Sequence, residues 1–364
     1  MLCRRIAAGL AAAAMGATGL VATAGPAGAA VPDGFNHVVS GNFFGGPRDE
    51  MLFHSNGSDL ELLLSVSSGG GNALIFTPYD LPDSGLARPI VGDFDGDGFD
   101  EVFWYTRGPE ADVLWDFTAY NAVTTTELSI TGTFTPVAGD FTADGADDIF
   151  FYGPGTALDV LWEFNPGGDH TEVSIPVSGT YVPLVESLGF DATDDIFWYA
   201  AGPASDTLWD FNAGSTSRTS RAMPVQGTYT PFTLDLFGDG AGGGDIFWYA
   251  PGLAADTVWD FFEGVRFSFP DPVRGVYTPM SGDYLGDGAD DIVWLHSGGF
   301  NLWVHRPVSG GVLRIAYSIT ITFGSSSASA AGVGTGERAP LGSGLSFSPG
   351  VPGTRIASLV PARD

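Results

Sequence analysis

Apolar runs of four to six residues recur along this chain, each closed off by Asp, Gly or Pro. In Asp148–Tyr152 (DIFFY), large apolar side chains stand at odd and even positions alike. A strand that is apolar on both faces is buried on both faces. The pattern around it predicts four short strands, at Val137–Phe141, Asp148–Tyr152, Asp159–Phe164 and Glu172–Val177. The turns between them are rich in Asp, Gly and Pro, residues that close hairpins.

The same unit returns through most of the chain. VGDFDGDGFDEVFWY starts at Val91, AGDFTADGADDIFFY at Ala138, ESLGFDATDDIFWY at Glu186, LDLFGDGAGGGDIFWY at Leu234 and SGDYLGDGADDIVWL at Ser281. A worn copy, SGNFFGGPRDEMLFH, opens the array at Ser40. Trp104, Phe151, Trp198, Trp248 and Trp294 are spaced by 47, 47, 50 and 46 residues. A second phrase closes each unit: TGTFTP at 131–136, SGTYVP at 178–183, QGTYTP at 226–231 and RGVYTP at 274–279. Four strands in about 47 residues match one propeller blade, and stacking blades buries the doubly apolar strand. The expectation is an all-β fold, a propeller of six four-stranded blades. A seventh blade, built irregularly from the ends, is the alternative, and an open solenoid ranks lower. The repeats run at about 36–88, 89–136, 137–183, 184–231, 232–279 and 280–323, within a domain of 31–323.

The ends read differently. Residues 1–30 have the form of a secretory signal peptide, with Arg4 and Arg5, an apolar stretch, and Ala27-Gly28-Ala29 as the cleavage pattern. The chain is therefore expected to be secreted. Its one cysteine, Cys3, is lost with the leader, which excludes disulfides, thiol nucleophiles and cysteine-ligated metals. No later segment is long and apolar enough to anchor in a bilayer, so no membrane insertion is expected after cleavage. From Gly324 to Asp364 the composition turns to Ser, Gly, Ala and Pro, and a disordered tail is expected.

Charge narrows the partners. The formal net charge is −29, from 43 acidic and 14 basic residues, and every basic residue is Arg. Removal of Arg4 and Arg5 takes it to −31. Nucleic acid and anionic lipid need basic patches, so both are excluded as partners, while cations are favoured.

The acidic loop of each unit is the candidate cation site. In the copy at 93–101, Asp93, Asp95 and Asp97 occupy positions 1, 3 and 5. Gly98 permits the turn, and the Phe99 carbonyl and Glu101 can complete a shell of oxygens suited to Ca²⁺. An ion-free Asp-Gly turn is the plain alternative. Partial sets follow at Asp140, Thr142, Asp144, Ala146 and Asp148, and at Asp283, Asp287, Ala289 and Asp291. Asp235, Asp239 and Asp245 carry an insertion. The loop from Ser187 and the one from Asn42 lack ligands and are expected to be empty.

These segments, GDFDGDGFDEVFWY and YTP…SGDYLGDGADDIVW, resemble FG-GAP repeats, the VCBS-type repeats also found in integrin α-subunit propellers. The resemblance covers about 36–323. It implies a propeller with calcium in hairpin loops at one face, carried onto Asp93, Asp95, Asp97 and Glu101 and onto the partial sets. In integrins such propellers mediate adhesion, and no other integrin domain is visible here.

The remaining features favour structure over chemistry. The recurring Trp104, Trp198, Trp248 and Trp294, and Trp115, Trp162, Trp209, Trp259 and Trp303, are expected to pack between blades rather than stack sugars. Asp116, Glu163, Asp210 and Asp260 follow the third-strand Trp and read as structural hydrogen-bonding groups. The five histidines have no metal-binding spacing, and His54 and His296 stand where other copies have Tyr. Gly238–Gly243 matches GxGxxG only as a worn acidic loop, and Asn56-Gly57-Ser58 reads as a hairpin turn. The arginines follow no repeat, and Arg48, Arg88, Arg107, Arg266 and Arg274 are the irregular ones to watch. Three functions remain in order: a non-catalytic, monomeric binding or adhesion module for extracellular polysaccharide or protein; a scaffold; and a carbohydrate-active enzyme.

Overall fold

A computed structural model describes residues 32, 35–54, 61–68, 74–80, 87–119, 122–155, 157–189, 191–201, 205–238, 240, 243–252, 255–262, 265–308, 311–323, 345–349 and 359–361. The proposed leader, Asp239 and Asn56-Gly57-Ser58 lie outside them. Six antiparallel sheets, each built on four strands consecutive in sequence, make up the fold, and the last of them carries two further short strands. They span 37–80, 88–128, 135–174, 182–222, 230–270 and 278–323. The first strand of each blade touches the first strand of the next, and His37–Gly41 of blade one meets Thr278–Gly282 of blade six. The ring therefore closes at six blades, and the protein is a six-bladed β-propeller.

In blade three the second strand is Asp148–Tyr152, as the sequence predicts. The first is Thr135–Gly139, the third Val160–Phe164 and the fourth His170–Ser174. The first strand stops early because the Asp140 carboxylate accepts the N–H groups of Asp144 and Gly145 and bends the chain. Ile175 and Val177 lie beyond the fourth strand. The Ile175 N–H donates to the Asp159 carbonyl, and the Val177 N–H to the Asp159 carboxylate. Two stretches of the expected tail, Leu345–Pro349 and Leu359–Pro361, run antiparallel to Gly311–Phe323, the outermost strand of blade six. They cover part of an edge that would otherwise present unpaired backbone.

The core lies between blades. Trp104, Trp198, Trp248 and Trp294 are each about 1% exposed. Each meets the third-strand indole of its own blade edge to face, at centroid distances of 4.8–5.1 Å. The four second-strand rings are packing elements, as the repeat implies, and so are Trp115, Trp162 and Trp259. Trp209 and Trp303 are only half-buried and depart from that expectation.

One device joins every pair of blades. In the acidic loops, the residue at position 8, just before the second strand, reaches back to position 1 of the preceding blade. Its N–H donates to the carbonyl there, and its carboxylate accepts the N–H. Asp147 does this to Asp93 at 2.7 and 3.0 Å, and Asp194 to Asp140 at 2.9 and 3.0 Å. Asp290 pairs likewise with Asp235, Asp49 with Asp283 and Asp100 with Asn42. The Asp49 link closes the ring.

The sixth joint exchanges its parts. Gly244 stands where the other blades have Asp. Its N–H still reaches the Ser187 carbonyl at 3.0 Å. The carboxylate comes instead from Glu186, whose Oε1 accepts the Ser187 N–H at 3.2 Å. At four other joints the position of Glu186 is glycine, and a Cβ there would lie 2.7–2.9 Å from the clasping carboxylate oxygen. A Cβ on Gly244 would lie 2.1 Å from Glu186 Cγ. Glutamate on one side therefore requires glycine on the other.

The belt buries its charges. Desolvation pushes the Asp49 carboxyl up to about 6 and Asp194 to about 7, and Asp100, Asp147 and Asp290 well above the carboxylate range.

Two outcomes follow from this arrangement. Glu186→Gly leaves the Ser187 N–H without its acceptor, and Gly244→Asp crowds Glu186. Each is expected to lower stability by about 1–3 kcal/mol, and the double variant, which recreates the other joints, to recover most of the loss in a denaturant double-mutant cycle. Between about pH 4, where free carboxyls titrate, and about pH 7, where Asp194 does, the folded chain holds protons that the unfolded chain has released. Stability is then highest at the acid end and falls as pH rises. In chelator, the melting temperature should drop from pH 5 to pH 8, and Asp194→Asn should flatten the slope.

Candidate functional site

The acidic loops share one backbone. The carboxylate at position 1 accepts N–H groups from within its own loop. Asp93 accepts from Asp97 and Gly98, Asp140 from Asp144 and Gly145, and Asp283 from Gly286, Asp287 and Gly288. The position-6 glycines Gly98, Gly145 and Gly288 have φ of 91°, 93° and 88°, a region that a side chain disfavours.

The loops differ in what converges. Asp93, Asp95 and Glu101 each bring a carboxylate oxygen within 4.8 Å of the others. Glu101 Oε2 accepts the Phe94 N–H at 2.7 Å, while Oε1 is buried without a hydrogen-bond partner. Burial, with Asp95 next in importance, pushes Glu101 up to about 10. A buried acceptor facing two carboxylates needs a proton or a cation, so the donor set fits a hard divalent ion. Asp97 stands outside this group and instead accepts the Phe99 N–H. Asp116, from the third strand, is near enough to Asp95 to raise its pKa. That neighbour was not visible in the loop sequence.

The other loops do not gather three such oxygens among the described residues. Both Asp148 oxygens accept backbone N–H groups, from Phe141 and Phe164. The Thr142 hydroxyl is buried without a partner. Asp291 accepts the His305 N–H through Oδ1, and its Oδ2 is buried without a partner. Arg306 stands 3.9 Å from Asp287 and brings its own cation to that loop. Asp235 accepts from Gly238 and Gly240, and Asp245 from Leu236. Ala146 and Ala289 are fully buried.

A second feature lies where the repeat breaks. In blades two to five an aspartate precedes or opens the third strand: Asp112, Asp159, Asp206 and Asp256. Each accepts one N–H just past the second strand and another past the fourth. In blade six the second strand, Asp291–His296, turns at once into the third, Gly299–Val308, with no such aspartate. A groove of about 280 Å³ opens there, between the exit of blade five and the inner face of blade six. Arg274 and Tyr277 form one side, and Trp303, Asn301 and Ser318 the other. Asn301 sits opposite Trp294, where other blades place Val113, Val160, Thr207 and Thr257.

A buried network holds this joint together. Arg314 donates through Nη1 to Asp271 at 2.8 Å and through Nη2 to the other Asp271 oxygen. Its Nε donates to His305 Nε2 at 3.0 Å, which makes Nδ1 the protonated nitrogen, donating to the Asp290 carbonyl at 2.9 Å. Burial holds His305 well below the usual histidine range. The Arg314 guanidinium also lies 4.2 Å from the centre of Trp303. Arg218 over Trp209 and Arg266 over Trp259 repeat that stack, at 3.9 and 4.1 Å, and His170 stacks on Trp162 in blade three. Arg266 is thus not irregular. The fourth strands differ in sequence and hide a register that pairs these residues with the end of the third strand. Of the other histidines, His54 packs on Trp104 and His296 accepts the Gly298 N–H.

No protein-family profile matches the chain, and no curated protein matches it. Among solved structures, a lectin from Agrocybe aegerita, described for its specific recognition of non-reducing terminal N-acetylglucosamine, superposes with a TM-score of 0.50 at 17% identity. The match covers 73% of this chain and 76% of the lectin. The Photorhabdus luminescens Tc holotoxin pore matches 71% of this chain with 13% of its own, at 16% identity and a TM-score of 0.48. At 17% identity the likeness to the lectin is one of fold.

Proposed function

We propose that this protein is a secreted, non-catalytic binding module that holds an extracellular glycan in the groove between blades five and six, with calcium ordering its acidic face. The groove carries the reading. Aromatic walls, an amide, a hydroxyl and a guanidinium converge there, outside the repeating pattern. Ligand sites of this kind combine apolar walls with a few polar groups that fix orientation. The lectin that shares the fold supports the ligand class. The leader-like residues 1–30 support export. The repeated aspartates are engaged in joining strands and blades, which argues against their use as acid and base.

Calcium would be held by Asp93, Asp95 and Glu101, with Asp97 and the Phe99 carbonyl close by in the same loop. Bound there, the ion would supply positive charge to a carboxylate cluster whose other partners are backbone N–H groups. The protein's own part is the Asp93 cap, which fixes the loop backbone.

Two measurements test this reading. Calorimetric titration with calcium should show a site of about 10⁻⁴–10⁻³ M affinity, as in extracellular modules. Glu101→Gln should weaken it about tenfold or more while leaving the melting temperature in chelator unchanged or higher. A glycan array probed with the full chain in about 1 mM calcium should identify a sugar class. Trp303→Ala should then lower affinity for it about tenfold or more, the effect of losing a central aromatic contact. Equal binding by a folded Trp303→Ala variant would place the ligand elsewhere, and no glycan binding at all would leave the scaffold reading in its place.

A further inference from the structure

The groove differs in charge from the protein that carries it. The chain has 43 acidic against 14 basic residues, yet none of the groove's lining residues is acidic. Arg274 is exposed at its rim. It makes no hydrogen bond or ion pair among the described residues. The corresponding residues of blades two to four are Thr131, Ser178 and Gln226, all neutral.

Arg314 is the opposite case. Its charge is cancelled by Asp271, and its donors are taken up by Asp271 and His305. Asp271 belongs to the exit of blade five, and Arg314 supports Trp303 of blade six, so this pair fixes the two sides of the groove against each other. What remains uncompensated at the rim is one guanidinium beside an aromatic wall.

Resting on the glycan-binding reading above, we infer that the groove selects a terminal sugar bearing a carboxylate, with Arg274 as the partner of that charge. A guanidinium presents two parallel N–H donors that match the two oxygens of a carboxylate. Trp303 and Tyr277 offer apolar walls to the ring, and Asn301 and Ser318 offer partners to its hydroxyls. The volume, about 280 Å³, is below the roughly 300–1,000 Å³ of sites for larger ligands and suits one ring. The net charge of −29 repels a polyanion. At physiological salt that field is screened beyond about 8 Å, so a single charge in contact with Arg274 is attracted while a chain of charges is not. The ligand is therefore a neutral glycan ending in one acidic sugar, rather than a polyuronate or a sulfated polymer.

The test uses the full chain and a chemically matched pair: an oligosaccharide ending in glucose, and the same oligosaccharide with its terminal C6 oxidised to the carboxylate. Calorimetry should show the acidic form binding about tenfold or more tightly, the scale of a charge-assisted hydrogen bond. Arg274→Gln should remove that preference, so that the variant binds the two forms equally. Arg274→Lys should restore part of it, and Trp303→Ala should weaken both ligands. Arg274 is exposed, so its two variants should fold. Trp303 packs on Trp294 and Arg314, so Trp303→Ala is read only where its melting temperature shows a folded protein. Equal affinity for the pair, with Arg274→Gln silent and Trp303→Ala still weakening both, overturns this inference and leaves the glycan-binding reading standing. Preferential binding of a heparin-like polyanion also overturns it. Absence of binding to either sugar overturns both.

Discussion

The joint between blades rests on two hydrogen bonds that cross from position 8 of one acidic loop to position 1 of the loop before it. The rest of the molecule is arranged around that clasp. It works without exchange of a strand between first and last blades, because Asp49 grips Asp283 as each other aspartate grips its neighbour. The clasp brings carboxylates into the interior, where desolvation raises their pKa values, and each is held by a backbone N–H that favours its charged form. The belt is thus strong in geometry and sensitive in protonation. It also joins packing to ion chemistry. Asp93 receives the clasp through its backbone, while its side chain caps the loop that brings Asp95 and Glu101 together.

How much of this the sequence discloses depends on how local the cause is. The doubly apolar second strand is local, and Asp148–Tyr152 emerges with its predicted bounds. The period favours six blades over seven, and the contact between the first strands of blades one and six decides it. The end of a strand is less legible when a side chain decides it, as Asp140 does for the first strand of blade three and Asp159 for the residues after the fourth. The stacked arginines were missed because Arg218, Arg266 and Arg314 align only through strand pairing, not through sequence spacing. The exchange between Glu186 and Gly244 is harder still. Each residue reads as a worn copy of its own unit, and only the contact across blades shows that one loss answers the other.

The acidic loops teach a related lesson. Counting carboxylates at positions 1, 3, 5 and 9 ranks the loop at 93–101 first, and the structure brings three of those four together there. It also separates loops that the count treated as equals. Asp148 is saturated by backbone donors, whereas Asp291 keeps a buried oxygen without a partner beside a loop that Arg306 already enters. The third strand gives each carboxylate one N–H, from Phe164 or His305. The difference comes from the loop, where the Phe141 N–H reaches Asp148 while the matching Tyr284 N–H turns to the Gly282 carbonyl.

Symmetry accounts for stability here, and its failure accounts for the groove. In blades two to five, one aspartate ties the second strand to the exit of the fourth. In blade six a tight turn between the second and third strands takes the place of that aspartate. The joint must then be held by other means. Arg314 and His305 carry a line of buried contacts from Asp271 at the exit of blade five to Asp290 in the central belt. The Arg314 stack on Trp303 repeats those of blades four and five. What sets blade six apart is therefore the missing aspartate and the groove lined there by Trp303, Asn301 and Arg274, an aromatic wall with polar partners on an otherwise repetitive surface.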